Sequence, residues 1–218
     1  MKHSGLLILF ISLLTGCVQA AEPYKADFQK LETGKVPDEF LILDGAFSIK
    51  EEDGNKFLEL PGAPLDTFGV LFGPTLGPNT LAKARIFGAA KGRRYPVFSL
   101  GVSGQGGYKL QVAPAKKAIE LLRGEAVLAT VPYDWQPGKW TLLKLQFRSE
   151  GEKYKVEGKV WTEKTEEPKS WMITAEDTSK PSDGRASVSG NPFSGTPIRF
   201  DDLEVSSLDQ SKSEQLIK

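Results

Sequence analysis

Beyond its first twenty residues, this chain is interrupted by glycine, proline, aspartate and asparagine so regularly that no apolar stretch of helical period reaches ordinary helix length. The segments between interruptions are short and alternating. With 22 Gly and 14 Pro in 218 residues, that punctuation predicts an all-β chain folded as an antiparallel two-sheet β-sandwich, a jelly roll. Pro96 to Ser103 (PVFSLGVS) sets Phe98, Leu100 and Val102 against Val97, Ser99 and Gly101, and Ser103 to Gly107 (SGQGG) turns it into Tyr108 to Val112. Ala118 to Leu122 and Val127 to Val131 form a second hairpin around Arg123-Gly124-Glu125. The Pro137-Gly138 turn then leads into Trp140 to Arg148, where Leu143, Leu145 and Phe147 share a face. Lys155 to Thr162, Ser170 to Ala175 and Ile198 to Val205 complete the later half.

Earlier strands are read at Tyr24 to Phe28, Phe47 to Lys50, Phe57 to Leu60 and Gly69 to Phe72. Asn79 to Gly88 (NTLAKARIFG) is a further strand, with a helical start as its alternative. No internal repeat or low-complexity linker divides the chain, so one jelly-roll domain is assigned to residues 22–207 and a polar tail to residues 208–218. Trp140 is expected in the core or in a turn contact.

Residues 1–20 read as an export signal: Lys2 supplies the positive start, and Leu6 to Leu14 (LLILFISLL) is too short to span a bilayer. Two processing routes are open. Leu14 to Cys17 (LTGC) has the form of a bacterial lipobox with Cys17 as the lipidated residue, while Val18-Gln19-Ala20 suits ordinary cleavage before Ala21. The first gives a periplasmic or outer-membrane lipoprotein, the second a secreted protein.

His3 is the only histidine and Cys17 the only cysteine. The remaining domain therefore lacks the imidazole of a serine or cysteine triad and the usual zinc ligands, and it can form no internal disulfide. Lys plus Arg and Asp plus Glu each total 28, and loss of Lys2 with the signal leaves one net negative charge. That balance argues against nucleic acid as a partner.

The Asp27-Phe28 end of the first strand, VPDEF at Val36 to Phe40, PGKW at Pro137 to Trp140 and GTPIRFDDLEV at Gly195 to Val205 together resemble concanavalin A-type lectin/glucanase jelly rolls. The nearest branch is the laminin-G-like and 3-keto-disaccharide-hydrolase-like domains of exported bacterial proteins. The resemblance implies a two-sheet sandwich and a carbohydrate or polysaccharide partner. It also implies a structural calcium held near Asp27, Gly45 and Asp201 or Asp202; the alternative is that these residues cap turns and pair with Arg199 or a lysine. The Glu-x-Asp-x-x-Glu signature of the superfamily's glucanases is absent from the sequence.

Sugar recognition needs aromatic rings flanked by hydrogen-bonding groups. Trp161 leads the candidates, because it shares a strand face with Glu157 and Lys159. Tyr95, Tyr108 and Trp171, with Arg93 and Gln105 as polar contacts, complete the expected ligand-binding set. Tyr133 and Trp135 lie beside the same turns. The expected function is non-catalytic, lectin-like carbohydrate binding on the bacterial cell envelope. A glycoside hydrolase using Glu120, Asp134 and Glu157 is the first alternative, and an envelope lipoprotein that binds another protein is the second. The two processing routes are separable. With lipid on Cys17, a Cys17→Ser variant is expected to leave the membrane fraction for the soluble fraction on cell fractionation, whereas cleavage before Ala21 predicts no difference.

Overall fold

The computed structural model describes residues 22–208; the export signal, Cys17 and residues 209–218 of the polar tail lie outside them. Alternation predicted strands, and strands are what form. In chain order they are β1 (Tyr24–Ala26), β2 (Leu41–Asp44), β3 (Ser48–Glu52), β4 (Asn55–Leu60), β5 (Phe68–Leu76), β6 (Thr80–Phe87), β7 (Val97–Val102) and β8 (Tyr108–Ala113). They continue as β9 (Ala118–Arg123), β10 (Ala126–Pro132), β11 (Trp140–Glu150), β12 (Lys153–Thr162), β13 (Ile173–Asp177), β14 (Gly184–Asn191) and β15 (Ile198–Ser207). The first sheet runs β13–β12–β11–β6–β15–β4–β3, with β1 also paired to β15. The second runs β10–β9–β8–β7–β14–β5–β2. All pairings are antiparallel, and the two sheets form the expected sandwich.

Period-two burial explains why these segments pair face to face. On β6, Ala82, Ala84 and Ile86 are buried while Leu81, Lys83, Arg85 and Phe87 are only partly so. On β11, Leu143, Leu145 and Phe147 are fully buried. From the second sheet, Phe72, Phe98, Leu100, Leu110 and Val188 meet them in one core.

Two strands escaped the sequence reading. The sequence reading places no strand over GRASVSGN, yet β14 lies between β7 and β5. Its inward residues are small because the other sheet fills the space: a Cβ on Gly190 would stand 2.9 Å from Ile198 Cδ1 and 3.1 Å from Leu60 Cδ2. β2 is an edge strand whose four residues are all exposed. Asn79 to Gly88 forms no helix: strand begins at Thr80. The first strand ends at Ala26, since Phe28 adopts φ 59° and buries its ring against Phe40, 5.6 Å away.

Trp140 is not in the inter-sheet core. It lies on the outer face of the first sheet, 5.6 Å from Phe87 and 6.2 Å from Phe57, with the Arg85 guanidinium 4.5 Å from its ring. The large indole of the core is Trp135, whose Nε1 donates to Thr141 Oγ1 at 3.1 Å.

Charged residues on this outer face largely pair with one another. Lys83 meets Glu204 at 3.3 Å, and Glu167 receives Lys144 at 2.8 Å and Lys159 at 3.0 Å. Glu157 receives Arg148 at 3.1 Å and Lys155 at 3.6 Å, and Arg199 joins Glu52 and Glu59. A bulge in β15 puts both Asp201 and Asp202 on Arg85: Nη2 reaches Asp201 Oδ2 at 2.5 Å and Nε lies 3.0 Å from Asp202 Oδ2. Burial alone would lower the Arg85 pKa, but Asp201, Asp202 and Glu163 together outweigh it and hold the guanidinium above its ordinary value.

Asp201 is fully buried, so removing its cation strands a charge. Arg85→Met is expected to cost roughly 3–5 kcal/mol in urea unfolding. Asp202→Asn, at an exposed carboxylate, is expected to cost less than about 1 kcal/mol. Equal costs would show that Arg85 does not hold the bulge.

Candidate functional site

The outer face of the second sheet is built differently. Inward Phe98, Leu100, Ala186 and Val188 leave Ser99, Gly101, Ser187 and Ser189 pointing outward from the middle of the sheet. Register lines them up across the strands: Gly69 pairs with Ser189, Ser189 with Ser99, Ser99 with Gln111, and Gln111 with Glu120. A second row carries Leu71, Ser187, Gly101 and Lys109. Ser99 and Ser187 are outward yet only 3% and 7% exposed, because larger residues flank this file of small ones. The result is a trough whose floor is hydroxyls and glycine backbone.

Hydrogen bonds order the floor. Ser99 Oγ and Ser189 Oγ are 2.6 Å apart, and Gln111 Nε2 donates to Glu120 Oε2 at 3.0 Å. Lys116 Nζ holds the other Glu120 oxygen at 2.8 Å. Asn191 donates from Nδ2 to Thr67 Oγ1 at 3.0 Å. Two cavities occupy the trough. The smaller, about 160 Å³, is lined by residues including Leu43, Asp44, Gln105, Lys109 and Ser187. The larger, about 300 Å³, is lined by residues including Val97, Ser99, Gln111, Asn191 and Phe193. Thr67 and Ser189 line both. Phe193 stands on the connection after β14 and is 46% exposed, an aromatic ring presented to solvent beside the larger cavity.

The expected site residues are dispersed. Gln105 lines the smaller cavity. Tyr108 is fully buried in the core with its ring 4.9 Å from Phe147 and its hydroxyl donating to Asp177 at 3.1 Å, so it offers no surface to a ligand. Burial, then Asp177, pushes that hydroxyl's pKa up. Trp161 keeps the expected outward face with Glu157 and Lys159, but on the first sheet. Trp171 lies near it, its ring 4.9 Å from Lys159 Nζ. Between β6 and β7, Tyr95 packs on the core margin and Arg93 is exposed.

The three carboxylates proposed for catalysis do not meet. Glu120 projects from β9 on the second sheet, Glu157 from β12 on the first, and Asp134 is exposed between β10 and β11. Two sheets about 10 Å apart separate the first two, where a glycosidase pair needs roughly 5–9.5 Å.

The four calcium positions also fail to form one donor set. Asp201 is taken by Arg85 and by Asn55 Nδ2 at 2.9 Å, and a cation there would face the guanidinium. Asp27 and Asp202 share a separate cavity with Lys25 and Glu204, while Gly45 packs on Phe68 and Phe47. Arg85 is the pairing partner, where Arg199 or a lysine was expected. Among the described residues no group of three or more His, Cys, Asp or Glu side chains is placed to hold a metal ion.

Phe193, Ser189 and Asn191 were missed with β14 and its following turn. Their signal was faint: small alternating residues without a bulky apolar partner.

No family model and no curated protein sequence matches the chain. Solved structures do. The carbohydrate-binding module CBM66 from Bacillus subtilis superposes with a TM-score of 0.54 at 15% identity, covering 78% of this chain and 96% of that one. A Bacillus subtilis protein of unknown function with a galectin-like fold gives 0.58 at 10% identity, covering 87% and 97%. Lectin II from Ulex europaeus gives 0.53 at 12% identity, covering 87% and 99%. The fold of this chain is thus the concanavalin A-like jelly-roll sandwich that these three structures share.

Proposed function

We propose that this protein is an exported, non-catalytic carbohydrate-binding domain whose ligand lies in the trough of the second sheet. One observation carries the reading: an exposed aromatic ring, a row of hydroxyl and amide groups and two cavities coincide on one open sheet face. Sugars present apolar ring faces and many hydroxyls, which calls for this combination. Two of the similar structures, a carbohydrate-binding module and a lectin, point the same way. With the export reading of residues 1–20, the domain works in the periplasm or on the outer membrane when Cys17 carries lipid, and outside the cell when cleavage follows Ala20.

The test is retention of the domain from Glu22 onward on plant, algal and bacterial-envelope polysaccharides, with released sugar ends scored in parallel. Phe193→Ala is expected to weaken retention roughly tenfold, or about 1.4 kcal/mol, with an unchanged melting temperature. Trp161→Ala, on the opposite face, is expected to leave retention unchanged. Loss with Trp161→Ala alone would move the site to the first sheet, and released ends would replace a binding module by a glycosidase. Silence towards every glycan would favour a protein partner at the exposed Leu41, Ile42 and Leu43 of β2.

A further inference from the structure

We propose that the two cavities are consecutive subsites of one groove, and that the groove takes a linear oligosaccharide longer than a disaccharide, with Phe193 at one end and Lys109 at the other. This rests on the carbohydrate reading and specifies its ligand. Thr67 and Ser189 line both cavities, so the two adjoin along the sheet face. Ser187 on the smaller and Asn191 on the larger are four residues apart on β14, about 13 Å of extended strand. A single sugar ring cannot reach both.

The two ends differ in chemistry. The wall of the larger cavity carries no charged side chain, only neutral polar groups, Val97 and the exposed Phe193 ring, which suits a stacked neutral sugar. The smaller holds Lys109 and Asp44, and Asp44 Oδ1 is engaged by the Gly45 N–H at 2.7 Å. Lys109 is the distal anchor. Its stem crosses Gly101, where a Cβ would stand 3.4 Å from Lys109 Cγ and 2.4 Å from Ser187 Oγ; glycine there lets the lysine and the serine share the floor. The other strand cations of this sheet have partners: Arg123 is held by Asp177, and Arg185 by the carbonyl oxygens of Gly73 and Glu39. Among the described residues the Lys109 ammonium has no such partner, and it is available to donate to a sugar oxygen.

Calorimetric titration with cello-, manno-, xylo-, laminari- and fructo-oligosaccharides, each from monomer to hexamer, tests this. In the series that binds, affinity is expected to rise roughly tenfold or more beyond the disaccharide and then level off, the worth of one charge-assisted hydrogen bond. Lys109→Gln should erase that gain with length, whereas Phe193→Ala should weaken every length. Melting temperatures of both variants confirm folding. A monosaccharide that binds as tightly as the hexamer, or a length dependence that survives Lys109→Gln, overturns the groove while leaving the carbohydrate reading intact. No binding at any length in any series overturns both.

Discussion

The close approach of the two sheets is what the rest of the molecule depends on. At Gly158 an added Cβ would stand 2.8 Å from Leu110 Cδ1, a side chain reaching across from the second sheet. At Gly190 the direction reverses, and Ile198, Leu60 and Phe200 of the first sheet cover the glycine. Large side chains from one layer thus enter gaps left by absent side chains in the other, which is how a core reaches native packing density without voids. No disulfide is available to the domain, so this interdigitation carries the stability that cross-links supply in many exported folds.

A common core leaves two outer faces free to diverge, and they have done so in electrostatic character. On the first sheet, single carboxylates serve several cations: Glu157 takes Arg148 and Lys155 besides the Gln146 amide, and Glu167 takes two lysines. Isolated surface pairs contribute little, but shared partners of this kind hold long side chains flat against the sheet and leave few groups in need of a ligand. The second sheet has short hydroxyl side chains in the corresponding positions, and nothing long enough in the middle to close the trough over them. Hydroxyl floors exchange water for sugar hydroxyls at small net cost, whereas a face of satisfied ion pairs would first have to break them.

Strands with one bulky face were legible from sequence, because Leu143, Leu145 and Phe147 or Phe98, Leu100 and Val102 announce both their conformation and their buried side. The trough was not legible for the same reason. Its central strand, β14, offers Ala186, Val188 and Gly190 inward and Ser187 and Ser189 outward, a pattern with too few bulky residues to announce a strand. Without β14, Ser99 had no partner across the sheet and its outward position carried no meaning. Aromatic residues misled in the opposite direction. Tyr108 beside a glycine turn reads as exposed, yet its alternation with Leu110 and Val112 places it in the core. Asp201 and Asp202 are adjacent in sequence, and only the bulge brings both onto one guanidinium.

The smallness of β14 on both faces joins these two themes. Its inward side must be small because Phe200, Ile198 and Leu60 occupy the space above Gly190. Its outward side must be small for the trough to exist, since Leu or Lys in place of Ser187 or Ser189 would fill the cavities both residues line. One strand therefore thins the second sheet in the middle, drawing the first sheet's large side chains in from below and leaving the trough open above. Phe193 follows directly after this strand, on a connection tied down by Gly195 N–H donating to Pro192 O at 2.7 Å and by Ser194 and Thr196, 2.7 Å apart. Thr196 in turn donates to Ala89 O at 3.0 Å. The ring beside the groove is held by a turn braced against the neighbouring loop, so its presentation to solvent is a property of the fold and does not wait for a ligand to create it.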